Sequence, residues 1–89
     1  MIEKKIIIIN KLGLHARAAA KLVTLANTFQ AKIKLKSKQK KANGKSIMSV
    51  MMLAAAQGTE LTLCIKGGDE EQAYLALETL INQRFDEAQ

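Results

Sequence analysis

The only histidine of the chain, His15, lies where an apolar, strand-like run gives way to an alanine-rich helical pattern. A turn containing Gly13 precedes it, so we expect His15 at the N-terminus of a helix. Backbone N–H groups without partners and the helix dipole favour anions there. An imidazole so placed, with the guanidinium of Arg17 nearby, suits acceptance and transfer of a phosphoryl group. Spacing alone slightly favours the alternative of a helix-capping or surface histidine.

Arg17 would hold phosphate oxygens with its planar fork of N–H donors. The chain has no carboxylate and no second histidine close to His15 in sequence. A self-contained hydrolytic site is therefore not expected. The pattern fits a protein whose partners complete the chemistry.

A second motif runs from Asn43 to Met48 and contains the triplet Gly44-Lys45-Ser46. A nucleotide-binding phosphate loop needs another glycine five residues before the Gly-Lys pair, and Gln39 occupies that position. The nucleotide-loop interpretation therefore fails. Ser46 has two open interpretations: the N-cap of a helix that starts at Ile47, or a phosphorylation site whose added charge would change a binding surface.

The helix that follows Ser46 is rich in large apolar side chains, namely Ile47, Met48, Val50, Met51 and Met52. A short helix buries only one stripe of its surface. We expect core packing to account for most of these residues. The remainder would form an adaptable apolar patch for docking a partner.

With 89 residues, the chain has the length of one domain, spanning 1–89. One cysteine and one histidine exclude an internal disulfide and a four-ligand zinc site. The sequence contains no targeting signal and no segment long enough to span a bilayer. We expect a cytoplasmic protein with no membrane insertion and neither a metal nor another cofactor.

The net charge of +6 comes largely from lysines between positions 32 and 45. Lys32, Lys34 and Lys36 alternate with Ile33 and Leu35, as on one half-buried strand. The lysines therefore predict a solvated strand face, with a surface for acidic partners as the alternative. Nucleic-acid binding is only a minor alternative, because no aromatic side chains stand among the lysines.

Apolar periodicity predicts strands over 2–9, 31–37, 38–42 and 61–66, and helices from 16 to 27, from 47 as far as 56, and after Asp69. The run Ile6–Ile9 is too apolar for an exposed edge, so an interior strand is expected there. Asn43-Gly44 predicts a left-handed turn, and Asp69 predicts a helix cap. Helices threaded between strands indicate an α+β sandwich with the helices on one sheet face.

Two motifs, Gly13-Leu14-His15-Ala16-Arg17 and Gly44-Lys45-Ser46-Ile47-Met48, give the chain a close resemblance to a known family. The chain resembles the histidine-containing phosphocarrier (HPr) family of the phosphoenolpyruvate-dependent phosphotransferase system. The spacing of the motifs and the order of elements also match. The resemblance implies an open-faced β-sandwich in which three helices cover one face of a four-stranded antiparallel sheet, in the order βαββαβα.

The resemblance also implies roles for the motif residues. His15 would take phosphate on Nδ1 from phosphorylated enzyme I and pass it to a histidine of an enzyme IIA protein or domain, with Arg17 supporting the phosphate. The protein would act as a stoichiometric carrier and not as an enzyme. Ser46 would be the target of a regulatory kinase/phosphorylase. The apolar docking surface would comprise Leu14, Ile47, Met48 and Met51.

Other functions remain open from the sequence. One is a regulatory binding protein in which the phosphorylation of Ser46 controls docking and His15 is vestigial; a weaker one is a basic RNA-binding domain. Among carriers, the chain could serve sugar uptake or a regulatory relay linked to nitrogen and carbon status. A monomer is expected, because both apolar surfaces already have an assigned use.

Overall fold

The computed structural model describes residues 1–87. Its elements are strand β1 (Ile2–Ile7), helix α1 (Ala16–Ala26), strands β2 (Lys32–Lys36) and β3 (Lys41–Asn43), helix α2 (Ile47–Met51), strand β4 (Glu60–Lys66) and helix α3 (Glu70–Asn82). A short 3-10 turn over Arg84–Asp86 follows α3. This sequence of elements confirms the predicted βαββαβα order.

The four strands form one antiparallel sheet in the order β1-β4-β2-β3. Successive side chains of a strand point to opposite faces, so Ile33 and Leu35 are buried while Lys32 and Lys34 are exposed. The buried face packs against the helices in one core that is aliphatic apart from Phe85. The other face carries the lysines in solvent, which confirms the predicted strand face and the open-faced sandwich.

Strand β1 lies at an edge of the sheet, and the prediction of an interior position for its isoleucines is wrong. Ile6 and Ile8 are buried, but Ile7 is 51% exposed. Ile7 pairs with Glu60 on β4 and therefore lies on the open face. Burial alternates from Lys5 to Ile8, as at a half-buried edge, and the apolar side chain of Ile7 on the outer face conceals that alternation in the sequence.

Strand β3 begins later than predicted because residues 37–40 form a tight turn. The Lys40 N–H donates to Ser37 Oγ at 3.0 Å, and the Ser37 N–H donates to the Lys40 carbonyl at 2.8 Å. The predicted left-handed turn at Asn43-Gly44 is also wrong, since neither residue has a positive φ. Gly44 is needed for close approach instead: a Cβ there would lie 2.6 Å from Ile33 Cγ2.

Helix α2 ends at Met51, five residues before the predicted limit at Ala56. Ala54 has a φ of 51°, a left-handed conformation that a helix cannot include. The chain turns there so that the Ala55 carbonyl accepts a hydrogen bond from the Leu14 N–H at 2.8 Å. The loop after α2 thus supports the segment that leads to His15.

Asp69 precedes α3, but its side chain makes no capping bond to that helix. Its carboxylate instead accepts the N–H groups of Gln30 and Ala31 at 2.8 and 2.9 Å. These backbone hydrogen bonds, the one from Gln30 first, hold the pKa of Asp69 below its usual value. Asp69 therefore joins the start of α3 to the loop between α1 and β2.

Replacing Asp69 with asparagine is expected to destabilise the protein at neutral pH and progressively less in acid. A lowered folded-state pKa adds stability above the unfolded-state pKa, near 3.8, and that stability is lost as the pH falls through the folded-state pKa. Urea unfolding between pH 7 and pH 3 should show the two unfolding midpoints converging in acid. Glu71→Gln, a change on the exposed side of α3, is the matched control and should show no such convergence. If the difference between the unfolding midpoints of the wild type and Asp69→Asn stayed constant with pH, the stabilising role of the ionised Asp69 carboxylate would be contradicted.

Candidate functional site

His15 occupies the N-cap position of α1, as predicted from the sequence. Its backbone is extended, with φ −73° and ψ 178°, and its side chain makes no capping bond to the helix. The imidazole is 26% exposed. Because the first turn has no preceding helical carbonyls, the N–H groups of Ala16, Arg17 and Ala18 have no partners within the helix. The imidazole therefore lies beside backbone donors suited to an anion.

The loop before His15 has a path fixed by a buried asparagine and by Gly13. Asn10 is fully buried, and its Nδ2 donates to the Gly13 carbonyl at 2.8 Å. Gly13 has a φ of +67°, and a Cβ on it would lie 2.3 Å from the Ala55 carbonyl oxygen. Only glycine fits both constraints. The loop that leads to His15 thus packs closely against Ala55 in the α2–β4 connection.

The structure also brings a carboxylate to His15 that the sequence did not predict. One carboxylate oxygen of Glu87 is hydrogen-bonded to His15 Nε2, and the other oxygen accepts a hydrogen bond from Asn10 Nδ2 at 3.0 Å. Burial alone would raise the pKa of Glu87, but these two hydrogen bonds and the nearby charge of Arg17 outweigh it and lower that pKa. Glu87 is 72 residues from His15 along the chain, so local spacing carried no signal of it.

Arg17 is exposed in the first turn of α1. Its positive charge acts on Glu87, which places the guanidinium within electrostatic range of the group that holds the imidazole. Arg17 and His15 therefore share one end of the helix, as their spacing predicted. A phosphate on the imidazole would meet a cation and backbone N–H groups at the same place.

Ser46 is the N-cap of α2, which confirms the capping interpretation of this residue. Its Oγ accepts the Ser49 N–H at 3.3 Å, and its side chain is partly exposed. Asn27 at the end of α1 donates to the Lys45 carbonyl at 3.2 Å, so Ser46 lies near the C-terminal end of α1. Eleven residues of α1 separate that end from His15, or about 16 Å of helix.

Most of the large apolar residues after Ser46 are exposed, and the expectation that most would pack in the core is wrong. Val50 alone is buried within α2. The exposed residues are Ile47, Met48, Met51 and Met52, of which Met48 is 75% exposed. They form the helix-2 patch. Leu14 is only 4% exposed and packs in the core, so its side chain offers almost no surface to a partner.

Residues 1–87 contain neither a metal-binding cluster nor a membrane-spanning helix. This part of the chain contains no cluster of histidine, cysteine and acidic side chains arranged to bind a metal ion. No helix within it has the length and apolar character required to cross a bilayer.

The chain is similar to known proteins over nearly its whole length. A sequence model described as "PTS HPr component phosphorylation site" matches residues 2–83. The chain is 51% identical to phosphocarrier protein HPr of Xylella fastidiosa (strain 9a5c), over 98% of both chains. It is 44% identical to phosphocarrier protein NPr of Shewanella violacea, over 98% of this chain and 96% of that protein. The crystal structure of HPr-C-His from Thermoanaerobacter tengcongensis superimposes with a TM-score of 0.95, at 45% identity and over 100% of both chains.

The matched proteins and the fold define the class of protein: a small phosphocarrier of the phosphotransferase system. The chain belongs to the HPr family within that class.

Proposed function

We propose that this protein is a stoichiometric phosphoryl carrier in which His15 accepts phosphate on Nδ1 and then gives it away. The observation that carries this proposal is the position of the imidazole, held by Glu87 through Nε2 at the open N-terminus of α1. Within residues 1–87 no hydrogen bond occupies Nδ1. That nitrogen keeps its lone pair for a phosphorus atom.

The surrounding groups suit a phosphoryl group that must arrive and leave. The N–H groups of the first turn and the guanidinium of Arg17 would hold its oxygens. A dipole at an exposed helix N-terminus contributes only about 0.3–1 kcal/mol. An interaction of that size stabilises the phosphoryl group without trapping it, as a carrier requires.

The proposed partners are enzyme I as donor and an enzyme IIA protein or domain as acceptor. The helix-2 patch would dock both of them, one after the other, because each must place its reactive group at His15. The lysine-rich charge of the chain would speed encounter with acidic partner surfaces. The carrier would act in the cytoplasm as a monomer, with residues 1–89 forming one domain.

Reconstitution with phosphoenolpyruvate and enzyme I from a related bacterium tests the proposal. The wild-type protein should gain one phosphate that is stable in alkali and lost in acid, as phosphohistidine is. Failure to gain phosphate, with the same enzyme I active on another HPr protein, would refute the carrier function.

Ser46 is proposed as a regulatory phosphorylation site. A phosphate there would add about −1.5 to −2 charges beside the helix-2 patch and so disturb the docking of partners. A bifunctional kinase/phosphorylase with ATP should place one acid-stable phosphate on the wild type and none on Ser46→Ala. Equal labelling of both proteins would exclude Ser46 as the site.

A second candidate function is a regulatory relay without sugar transport. The 44% identity to a phosphocarrier named NPr supports the relay as a candidate function. The two functions differ in the acceptor, so the phosphorylated protein should be offered enzyme IIA proteins of both kinds from the source organism. Faster transfer to a sugar-specific IIA supports uptake, and faster transfer to a regulatory IIA supports the relay.

A further inference from the structure

We infer that Glu87 is a positioning residue for the phosphoryl chemistry of His15. Its carboxylate would hold the imidazole proton on Nε2 and keep the lone pair on Nδ1. This inference rests on the proposed carrier function for its role in transfer. The placement of the proton on Nε2 in the unphosphorylated ring depends only on the contacts of Glu87.

The segment before Glu87 has an unusual backbone that directs this carboxylate to the site. Arg84, Phe85 and Asp86 all have left-handed φ values, of 56°, 53° and 62°. Three consecutive non-glycine residues hold such a conformation only where their surroundings enforce it. Phe85 is fully buried, and its carbonyl accepts a hydrogen bond from Lys21 Nζ on α1 at 2.9 Å. The chain therefore turns sharply after α3 and reaches His15 at a fixed position.

Both oxygens of the carboxylate have assigned partners. Oε1 accepts from Asn10 Nδ2, which also donates to the Gly13 carbonyl, and Oε2 faces His15 Nε2. Asn10 is fully buried, and the Glu87 side chain is 11% exposed. An ionised carboxylate only accepts hydrogen bonds. The imidazole nitrogen that faces it must therefore carry a hydrogen, which assigns the proton of the neutral ring to Nε2.

This arrangement matters during transfer because charge appears on the ring. The Nδ1 lone pair forms a bond to phosphorus, and the bond between phosphorus and the donor atom breaks with its electron pair staying on the donor. The Nε2 proton does not move, so the ring becomes positively charged as the new bond forms. Glu87 would stabilise that charge and keep the ring in its reactive orientation, as a carboxylate behind a catalytic histidine does. On departure of the phosphate the same charge disappears again.

The test is Glu87→Gln, with Asp86→Asn as the matched control. A glutamine keeps the size of the side chain but offers one oxygen and one NH₂ group. The buried Asn10 donor requires the oxygen, so the NH₂ group would face the imidazole and favour a proton on Nδ1. Asp86→Asn removes a charge from the same segment at an exposed position and keeps a residue type that tolerates left-handed φ.

Nitrogen-15 NMR of the unphosphorylated protein, at a pH where the ring is neutral, should show the proton on Nε2 in the wild type and in Asp86→Asn. In Glu87→Gln the population with the proton on Nδ1 should rise. The rate of phosphate uptake from enzyme I should fall about 10-fold or more for Glu87→Gln, by analogy with the loss of about 10- to 100-fold when partners of metal-binding histidines are removed. It should be unchanged for Asp86→Asn.

An unchanged tautomer together with an unchanged rate in Glu87→Gln would overturn the positioning role. If the wild type takes up no phosphate at all, the carrier proposal fails. The NMR comparison would then still decide whether Glu87 sets the proton of His15, so failures of the two proposals are distinguishable.

Discussion

The His15→Ala variant is expected to take up no acid-labile phosphate from phosphorylated enzyme I. His15 is the only histidine of the chain, so no other imidazole could replace it. Its side chain makes no capping bond to α1, and alanine should therefore leave the fold intact. The loss of uptake would then report the lost acceptor and not an unfolded protein.

Intact-mass spectrometry after incubation with phosphoenolpyruvate and enzyme I measures this effect. Ser46→Ala is the matched control, because it removes the other proposed phosphorylation site and should still gain the labile phosphate. Circular dichroism of both variants would establish that they are folded. Uptake of acid-labile phosphate by His15→Ala would contradict the assignment of His15 as acceptor.

The Phe85→Ala variant is expected to lose about 3–5 kcal/mol of stability, as large-to-small changes of a buried aromatic residue do. Phe85 is fully buried and belongs to the core cluster. The total stability of a domain is only about 5–15 kcal/mol, so this change removes a large share of it. It should also release the turn that holds Glu87 on His15.

Urea unfolding at neutral pH measures the free-energy change. Leu75→Ala is the control, since it deletes a large apolar side chain on α3 that is 60% exposed and should change the free energy of unfolding little. A loss below 1 kcal/mol for Phe85→Ala would show that Phe85 does not anchor the C-terminal segment.

Local signals explain what the sequence could predict. The position of His15 follows from a glycine-bearing turn before a helical pattern, and the cap at Ser46 follows from one residue before an apolar helix start. The lysine face of β2 follows from strict alternation. In each case the cause lies within a few residues of its effect, so periodicity and turn chemistry were sufficient.

The features that sequence analysis missed depend on distant contacts. Glu87 meets His15 across 72 positions, and Asp69 binds the backbone of Gln30 across 39. Asn43 before Gly44 is typical of a left-handed turn. Glycine is required at position 44 for a different reason, because Ile33 on β2 approaches it closely. The edge position of β1 depends on the pairing order of the whole sheet. None of these relations leaves a pattern in the local sequence.

The placement of the two proposed phosphorylation sites follows from the same packing. His15 begins α1, and Ser46 lies near its other end through the contact between Asn27 and Lys45. A partner that covers the helix-2 patch and reaches His15 would therefore lie beside Ser46 as well. A phosphate on Ser46 would therefore disturb the docking of a partner that reacts at His15, about one helix length away.

The central claim is that phosphate both arrives at His15 and leaves it, and one mass-spectrometric chase tests both halves. The wild-type protein is phosphorylated with enzyme I and phosphoenolpyruvate, purified from both, and then mixed with an enzyme IIA protein. The account predicts one labile phosphate after the first step, and its loss with a matching gain on the IIA protein after the second. A phosphate that never forms, or one that stays on the protein when every candidate IIA is offered, would contradict the account.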